Sequence, residues 1–558
     1  MKHILYLTLF VCILLGSCQA NKEPNNLYEE GISLELAQLR KQEIKDLKYS
    51  LRFSIPEQKQ EAVEGETRIQ FTIQKPQEII LDFRESADKV KEVSVNGQPT
   101  EYTFLNEHII LPQSSTIEGK NEVYIRFTAG NQSLNRNDEF LYTLLVPDRA
   151  RTVFPCFEQP NLKAAFTLQL EVPTEWEAVS NTSIASENTI NGKKHITFLP
   201  TEPLSTYLFS FVAGKLKKVE YADGERILTA YHRETDPKKV TQLNDIFEQV
   251  ASSLHWLEDY TDVPYPFAKY SFIILPGFQY GGMEHTGATL YNDNSMFLSE
   301  HPTLDEELAR AKLIAHETAH MWFGDFVTMD WFNDVWTKEV FANYFAACIV
   351  EPLFPSVNHS LNWIKTYTAA SLSEDRTLGS NSIRQPLDNL RNAGLIYGNI
   401  IYNKAPVMMQ KLVEIMGEEA YQGDALNKPL LASYLFADAD NAARINAIVH
   451  PRVKADFHRW LSEHQDAEIA GLECAILYEA GFEDTVNKVV MVYAPESLRI
   501  ERAMKRDNAT EAQIRARIAA QMDDEEKCSR ADYVIYTDGR IPLEEQLCDL
   551  IKHIKTNK

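Results

Sequence analysis

The chain has 558 residues, which is too long for one hydrophobic core and predicts about three to four domains. Its composition, 44% hydrophobic and 24% charged, is that of a globular protein and excludes a chain that is disordered throughout. Asp and Glu outnumber Lys and Arg by 80 to 56, so the acidic chain would repel phosphate backbones, and no nucleic acid is expected as a partner.

The first residues have the layout of an export signal. Lys2 and His3 precede an apolar run at 4–15, which is too short to cross a bilayer. The end of this run, Leu15-Gly16-Ser17-Cys18, resembles the bacterial lipoprotein signal, in which the cysteine is lipidated after cleavage of residues before it. The resemblance implies an exported lipoprotein, periplasmic or at the cell surface, anchored to a membrane through Cys18. An ordinary secretory signal with an incidental cysteine is the alternative.

After a linker or helical lead-in at 19–44, residues 45–217 predict an all-β domain. Runs such as 68–73 are rich in β-branched and aromatic residues, and dipeptides typical of tight turns, Asn96-Gly97 and Asn191-Gly192, lie between such runs. This pattern is typical of antiparallel strands in a β-sandwich.

The periodicity changes toward helix after about residue 218. Thr303 and Glu306 have the spacing of a capping box, and the amphipathic stretch that follows is expected to run to Phe323 and to end at Gly324. The residues with catalytic potential lie on this predicted helix.

A metal-binding motif lies near the end of the helix. In His316-Glu317-Thr318-Ala319-His320 the histidines are four residues apart, so both imidazoles lie on one face and can bind a single divalent cation. Glu317, on the adjacent edge, can act as general base on a water molecule that the metal acidifies. A third histidine at the spacing HExxHxxGxxH is excluded, because Phe326 stands at its position.

Glu339 is the candidate third ligand. Asn333-Asp334 predicts a helix start, and Glu339 lies one to two turns inside that helix. Two histidines and a glutamate leave a fourth coordination position open, which distinguishes a catalytic zinc from a structural one. The alternative is two surface histidines and an unrelated glutamate.

Residues 316–346 closely resemble the zinc-binding segment of the aminopeptidase N family of gluzincins, whose third ligand is a glutamate at this spacing. Gly281-Gly282-Met283-Glu284-His285 resembles that family's exopeptidase motif, and Tyr402-Asn403-Lys404-Ala405-Pro406 resembles its catalytic tyrosine motif. Residues 154–160 resemble its strand signature in the β domain. The resemblance covers about residues 45–422.

This resemblance implies a zinc-dependent aminopeptidase with one Zn²⁺ per chain and a thermolysin-like α+β catalytic domain at 218–423. Glu284 would bind the free ammonium of a peptide substrate, and the backbone of Gly281, Gly282 and Met283 would lie along it. His285 is expected to belong to the same substrate-binding segment. Tyr402 would donate its phenol to the oxyanion. The alternatives are that Glu284 is a solvated loop charge and Tyr402 a core residue.

Two positions depart from the family pattern, and a third offers an alternative to the catalytic tyrosine. His285 stands where the family usually has Asn, and Val340 stands where Gly is common. Neither removes a metal ligand, although His285 could change the polarisation of the amine pocket. Tyr397 is a competing phenol, and Tyr402 is favoured because a Lys-Ala pair follows it.

From residue 424 the chain resembles another family. The C-terminal two-thirds of dephospho-CoA kinase are resembled by segments at 427–436, 448–453, 476–481, 518–522 and 531–535. This resemblance implies a partial α/β P-loop-kinase-like segment over 424–558. No GxxxxGKS or GxxxxGKT sequence occurs in the chain, so we expect no nucleotide-binding residues and no kinase activity. The peptidase domain is expected to be truncated.

The two halves predict different compartments, because an export signal leads away from the cytoplasm, where ATP and the CoA pathway reside. We therefore expect a chimera joined near 417–422, either by recombination or by an assembly error. Three hypotheses follow: an aminopeptidase acting on exported peptides, a phosphotransferase of CoA synthesis, and a catalytically dead fusion. The complete set of zinc residues and the missing P-loop favour the first.

Overall fold

The computed structural model of the chain describes residues 26–378, 380–416, 421–422, 425–426, 453–454, 457–462, 464, 469–507, 510–519 and 521–556. The chain divides into two compact units, Pro24–Gly417 and a second that contains Glu418–Lys558. Cys18 and the segment 427–436 lie outside the described residues. Within the described ranges, no helix combines the length and the apolar character needed to cross a bilayer.

The first region of the Pro24–Gly417 unit is rich in β-strands, as predicted. Its strands are β1 Lys45–Ser54, β2 Glu64–Ile73, β3 Ile79–Asp82, β4 Val90–Val95, β5 Gln98–Pro99, β6 Thr103–Leu105, β7 His108–Leu111, β8 Gly119–Thr128, β9 Leu134–Arg136, β10 Phe140–Thr143, β11 Ala165–Pro173, β12 Glu177–Ser180, β13 Ile184–Ile190, β14 Lys193–Phe198 and β15 Phe211–Gly214. They form sheets ordered β13-β14-β11-β1-β2-β8-β4-β5, β12-β15-β10-β9 and β3-β7-β6.

The eight-stranded and four-stranded sheets share one aromatic core. Buried and exposed residues alternate along β1, β2 and β8, which places every second side chain on the inner face. Phe53 of β1 packs against Phe211 of β15 with ring centroids 5.1 Å apart, and against Phe127 of β8 at 6.0 Å. This arrangement fits the predicted sandwich.

The predicted two-residue turns are present. Asn96 and Gly97 have φ angles of 52° and 76° between β4 and β5, and Asn191 and Gly192 have the same pair of values between β13 and β14. Positive φ at both positions is the type I′ geometry that matches the twist of a hairpin.

The expectation of a purely antiparallel sandwich is wrong at one pair. Strands β1 and β11 run parallel, with Lys48 opposite Ala165 and Ser54 opposite Glu171. More than a hundred residues separate the two strands, so no tight turn dictates their relative direction, whereas hairpin-connected neighbours must be antiparallel.

A short helix precedes the first strand and packs on the same core. Helix α1, Leu34–Glu43, begins at Ser33, whose hydroxyl accepts a hydrogen bond from the Leu36 N–H at 3.1 Å. Leu36 is 1% exposed, and Arg40 forms a buried ion pair with Asp82 of β3. The lead-in therefore contributes to the β domain instead of acting only as a linker.

The second region of this unit combines a mixed sheet with helices. Strands β16 Lys217–Asp223, β17 Arg226–His232, β18 Tyr270–Leu275, β19 Gly282–Met283 and β20 Thr289–Asn292 have the order β16-β17-β18-β20-β19. The helices are α2 Pro237–Val240, α3 Leu243–Thr261, α4 Asp293–Met296, α5 Leu304–His320, α6 Trp336–Leu353, α7 His359–Trp363, α8 Ala369–Asp375 and α9 Ala405–Met416, with π-helical turns at Ile364–Thr368 and Ile400–Lys404. Strand β19 is an edge strand, antiparallel to β20.

Helix α5 begins with the predicted capping box and ends earlier than predicted. The Thr303 side chain accepts from the Glu306 N–H, and the Glu306 carboxylate accepts from the Thr303 N–H at 2.7 Å. The helix ends at His320, three residues before Phe323, because the chain turns back through Gly324. That glycine has a φ of +136°, and its N–H donates to the Val327 carbonyl at 2.8 Å.

The second unit contains a small α/β arrangement in its described part. Strands β21 Tyr421–Gln422 and β22 Ala425–Leu426 are antiparallel, and β23 Val490–Tyr493 and β24 Tyr533–Tyr536 are parallel. The helices are α10 Glu496–Asp507, α11 Glu511–Ala519, α12 Asp524–Arg530 and α13 Leu543–Thr556. Ile535 of β24 packs with Leu547 and Leu550 of α13 in a small core.

Candidate active site

One cavity of about 860 Å³ collects nearly all the site residues that the sequence predicts. It lies between β19, α5, α6 and the segment that carries the two candidate tyrosines. Its lining includes Gly281, Gly282, Met283, Glu284, His316, Glu317, His320, Glu339, Tyr397 and Tyr402. His285 is not among the lining residues.

Three potential ligand atoms converge in this cavity. The Nε2 atoms of His316 and His320 lie 3.1 Å apart, and each lies 3.6 Å from Oε2 of Glu339. The spacing of four residues places both imidazoles on one face of α5, and Glu339 lies in the first turn of α6. All three side chains are mostly buried, with Glu339 4% exposed.

The donor set fits a zinc ion. Bonds of about 2.0–2.1 Å in a tetrahedron place ligand atoms about 3.3 Å apart, close to the separations found here. The Nδ1 atom of His320 lies 3.1 Å from the carbonyl of Phe323, and an N–H donated there leaves the lone pair on Nε2 facing the other donors. Burial and the neighbouring His320 lower the pKa of His316 to about 4, which favours the neutral, ligand form of its imidazole.

Glu317 lies beside this cluster and against the backbone of β19. It is 4% exposed, and a Cβ added to Gly282 would lie 2.6 Å from its Cγ. Burial, with the charges of Glu284 and Glu339, raises the pKa of Glu317 well above its usual value. The cavity therefore favours a carboxyl group that readily takes up a proton.

Glu284 follows β19 and is buried, not solvated. It is 4% exposed, and the Lys338 ammonium donates a short hydrogen bond to its Oε1. Burial alone would raise the pKa of Glu284, but the charge of Lys338 outweighs it and lowers the pKa to about 2. The structure thus places an ionised carboxylate on the cavity wall.

Lys338 belongs to the site, although the sequence reasoning missed it. Its Nζ also lies 3.0 Å from Oε1 of Glu339, and its side chain is 3% exposed. Burial lowers the pKa of Lys338, but Glu284 and Glu339 raise it further, well above the usual value. A lysine directly before a predicted ligand, on a helix whose inner face is otherwise apolar, is the signal that could have identified it.

His285 lies behind the cavity wall. It is fully buried, and within the described residues neither ring nitrogen has a hydrogen-bond partner. Burial lowers its pKa to about 4, so the ring is neutral. Its chemical influence on the cavity would have to act through the neighbouring Glu284.

Both candidate phenols line the cavity. The rings of Tyr397 and Tyr402 lie 6.1 Å apart, and burial is the first cause that raises the pKa of each. Tyr402 lies on a π-helical turn, and its carbonyl accepts a hydrogen bond from Asn343 at 3.1 Å. Two protonated phenols are therefore available, and their placement alone does not choose between them.

Three protein-family models match the chain. The Peptidase M1 N-terminal domain matches residues 45–208, the Peptidase family M1 domain matches 246–448, and Dephospho-CoA kinase matches 396–542. The second and third matches overlap at 396–448. The peptidase match therefore extends past residue 422, and the kinase match begins before residue 424.

Curated relatives show the same division. A dephospho-CoA kinase of Bacteroides fragilis is 52% identical over 146 residues, which is 26% of this chain and 71% of the kinase. A probable aminopeptidase 1 of Sulfurisphaera tokodaii is 27% identical over 368 residues, 64% of this chain and 46% of the relative. Aminopeptidase N of Streptomyces lividans is 32% identical over 357 residues, 60% of this chain and 40% of the relative.

The chain thus spans less than half the length of these two aminopeptidases, whereas it covers most of the kinase. The peptidase models match the part that carries the cavity, and the kinase model matches the part that follows it. The chain therefore belongs to the M1 peptidase family in its N-terminal and central domains and to the dephospho-CoA kinase family in its C-terminal segment.

Proposed function

We propose that the central domain is a zinc-dependent aminopeptidase that removes N-terminal residues from peptides. The observation that carries this proposal is the convergence of His316, His320 and Glu339 in the cavity that also contains Glu317 and Glu284. M1 relatives named as aminopeptidases support the reaction class. We take the surrounding α+β domain to be thermolysin-like.

His316, His320 and Glu339 would hold one Zn²⁺, since two imidazoles and a carboxylate suit this ion. When bound, zinc would lower the pKa of water and polarise the scissile carbonyl. Glu317 would take the proton from the attacking water and deliver it to the leaving amine. Burial and the charges of Glu284 and Glu339 raise the pKa of Glu317, which favours its uptake of that proton.

Glu284 would fix the register of cleavage. Its buried carboxylate can accept a charge-assisted hydrogen bond from a substrate ammonium, which holds the first peptide bond at one distance from the reacting centre. The backbone of edge strand β19, with Gly282 and Met283, would lie along the extended substrate. Peptides with a free N-terminus are the proposed partners.

Tyr402 would donate its phenolic hydrogen to the oxyanion of the tetrahedral intermediate. The raised pKa of this phenol keeps it protonated at working pH. Tyr397 lines the same cavity and is the competing donor.

The test is release of p-nitroaniline from amino-acid p-nitroanilides by the purified chain. Hydrolysis should be lost on chelation, return with zinc, and fall about 10² to 10⁴-fold in Glu317→Gln, with metal content unchanged. The exposed Glu248→Gln on α3 is the matched control and should retain activity. Activity that survives Glu317→Gln would discard Glu317 as the base.

A second candidate function is dephospho-CoA kinase, favoured by the 52% identity over 146 residues. We propose that this segment is inactive, because the chain has no P-loop to hold the ATP phosphates. Conversion of dephospho-CoA to CoA by the purified chain with ATP and Mg²⁺ would contradict this proposal.

We further propose that the chain joins two genes near 417–422 and that residues 1–18 direct it to a membrane. Sequencing one amplicon that spans codons 400 to 450 in source DNA tests the junction. Lipidation is tested by expressing Cys18→Ser in a bacterium, where the variant should leave the membrane fraction. A metal-loaded, folded chain that cleaves no p-nitroanilide would support the catalytically dead fusion.

A further inference from the structure

Lys338 occupies a position that bears directly on substrate recognition. Its Nζ donates to Oε1 of Glu284 and lies 3.0 Å from Oε1 of Glu339, so one ammonium bridges two carboxylates of the cavity. It also lies 5.6 Å from the ring centroid of Tyr207. The side chain of Lys338 is 3% exposed, and Lys338 lines the same cavity as Glu284 and Glu339.

The fold makes room for this side chain. Lys338 precedes Glu339 in the first turn of α6, and its stem passes Gly324. A Cβ at residue 324 would lie 3.3 Å from both Cβ and Cδ of Lys338, and the φ of +136° there also favours glycine. The lysine is therefore packed in place and is not a surface side chain folded inward.

The Lys338 ammonium adds a positive charge beside the Glu284 carboxylate, in the part of the cavity called here the amine pocket. Under the function proposed above, on which this inference rests, Glu284 receives the substrate ammonium. The Oε1 atom of this carboxylate already accepts a hydrogen bond from the Lys338 ammonium. A substrate ammonium bonded to Glu284 would lie within a few ångströms of Nζ, where two like charges repel with little screening. A neutral hydrogen-bond donor would not meet that repulsion.

We propose that Lys338 is a specificity-determining residue, whose ammonium offsets the charge of Glu284 so that the pocket recognises the N-terminal group by hydrogen bonding more than by charge. The pocket therefore binds neutral donor groups at the α-position almost as well as a cationic ammonium. Removal of the Lys338 charge converts it into a pocket that selects strongly for the cation.

The experiment compares the binding of L-leucinamide and its neutral α-hydroxy analogue, 2-hydroxy-4-methylpentanamide, by titration calorimetry at pH 6.5. Both the chelator-treated and the zinc-loaded full chain are used. The wild-type dissociation constants should differ by less than about 10-fold. In Lys338→Met the preference for the amine should rise at least about 10-fold. Lys338→Arg should keep the wild-type ratio, and so should the exposed control Lys365→Met.

Lys338→Gln provides a second neutral variant that retains a hydrogen-bond donor, and it should shift the ratio in the same direction. An unchanged or reduced amine preference in a folded neutral variant overturns the proposal. A wild-type preference for the amine above about 10-fold also overturns the proposal, and so does the absence of binding of either amide. These two outcomes are measured on the wild type, so they do not depend on the folding of any variant.

The binding ratios do not depend on turnover, so the two proposals can fail separately. A shifted ratio without p-nitroanilide hydrolysis would refute the peptidase activity and leave the role of Lys338 standing. Hydrolysis with an unshifted ratio would refute the role of Lys338 alone.

Discussion

The backbone of Gly282 faces the Glu317 side chain so closely that a Cβ on residue 282 would lie 2.6 Å from Cγ of Glu317. No side chain can occupy residue 282 unless the proposed general base moves. The edge strand β19 and helix α5 therefore set the position of Glu317 together, and this contact allows a test of that position.

Gly282→Ala should lower kcat/KM by about 10²-fold, because a displacement of about 1 Å of a reacting group costs that much. Zinc content should stay at the wild-type level, since Glu317 is not among the three converging donors. Gly281→Ala is the matched control, because its Cβ would meet only the Leu313 side chain at 3.3 Å. Equal activity in the two variants would show that the position of Glu317 is not critical.

Metal binding should depend on the three converging side chains. His320→Ala and Glu339→Gln should each reduce the zinc content measured by plasma mass spectrometry far below one per chain, because each removes one of three donors. His255→Ala, an exposed histidine paired with Asp223, should retain the metal.

Zinc should also stabilise the folded chain, since it binds the folded state and not the unfolded one. Free zinc at about 1,000 times its dissociation constant should add about 4 kcal/mol to the free energy of unfolding. Thermal scans with and without chelator measure the shift. No shift in the wild type, or an equal shift in His320→Ala, would count against this centre.

The two phenols should differ in their effect on catalysis. Tyr402→Phe should lower kcat about 10² to 10³-fold with little change in KM, as expected when an oxyanion donor is lost. Tyr397→Phe should cost much less. The reverse order would assign the oxyanion role to Tyr397, which lines the same cavity.

A buried charge network should dominate the stability of the β domain. Asp82 is fully buried and accepts hydrogen bonds from Arg40 at 2.7 and 2.8 Å and from the Glu158 N–H at 2.9 Å. Asp82→Asn should lower the free energy of unfolding in urea by about 3 to 5 kcal/mol, because it leaves the Arg40 charge buried and unpaired. The exposed Glu122→Gln should cost less than about 1 kcal/mol.

Glu158 should make stability depend on pH. Burial raises the pKa of Glu158 from 4.5 to about 8, despite hydrogen bonds from Thr206 and the Arg151 N–H. Between these values the folded state holds a proton that the unfolded state has lost, so this group makes stability fall as pH rises from about 4.5 to about 8.

Glu158→Gln should remove that slope, so the variant should gain stability relative to the wild type as the pH is raised across this window. Urea unfolding at half-unit pH intervals measures it. The exposed Glu248→Gln should leave the slope unchanged. The prediction is contradicted if the free energy of unfolding depends on pH in the same way in the wild type and in Glu158→Gln.

The local features of this protein were readable from its sequence because they depend on neighbouring residues. The capping box at Thr303, the type I′ turns at Asn96 and Asn191, and the spacing of His316 and His320 all involve residues within four positions. Such features follow from the spacing of side chains along a helix or strand and from the residue types in a turn, so the local sequence is enough to predict them. The two family resemblances were recognisable for the same reason, because their motifs are contiguous.

Features that join distant segments were harder to foresee. The parallel pairing of β1 with β11 was missed, because no turn connects the two strands. The hydrogen bond from Lys338 to Glu284 was missed as well, because the two residues lie 54 positions apart and only the folded chain brings them together.

The sequence by itself determined which residue types can hold a metal and move a proton, since the chemistry of two imidazoles and a carboxylate does not depend on the fold. Only the tertiary structure decided that Glu284 accepts a hydrogen bond from the Lys338 ammonium and that His285 lies behind the wall of the active-site cavity. Those outcomes depend on which buried groups share one low-dielectric space, and burial is a property of the whole packed domain.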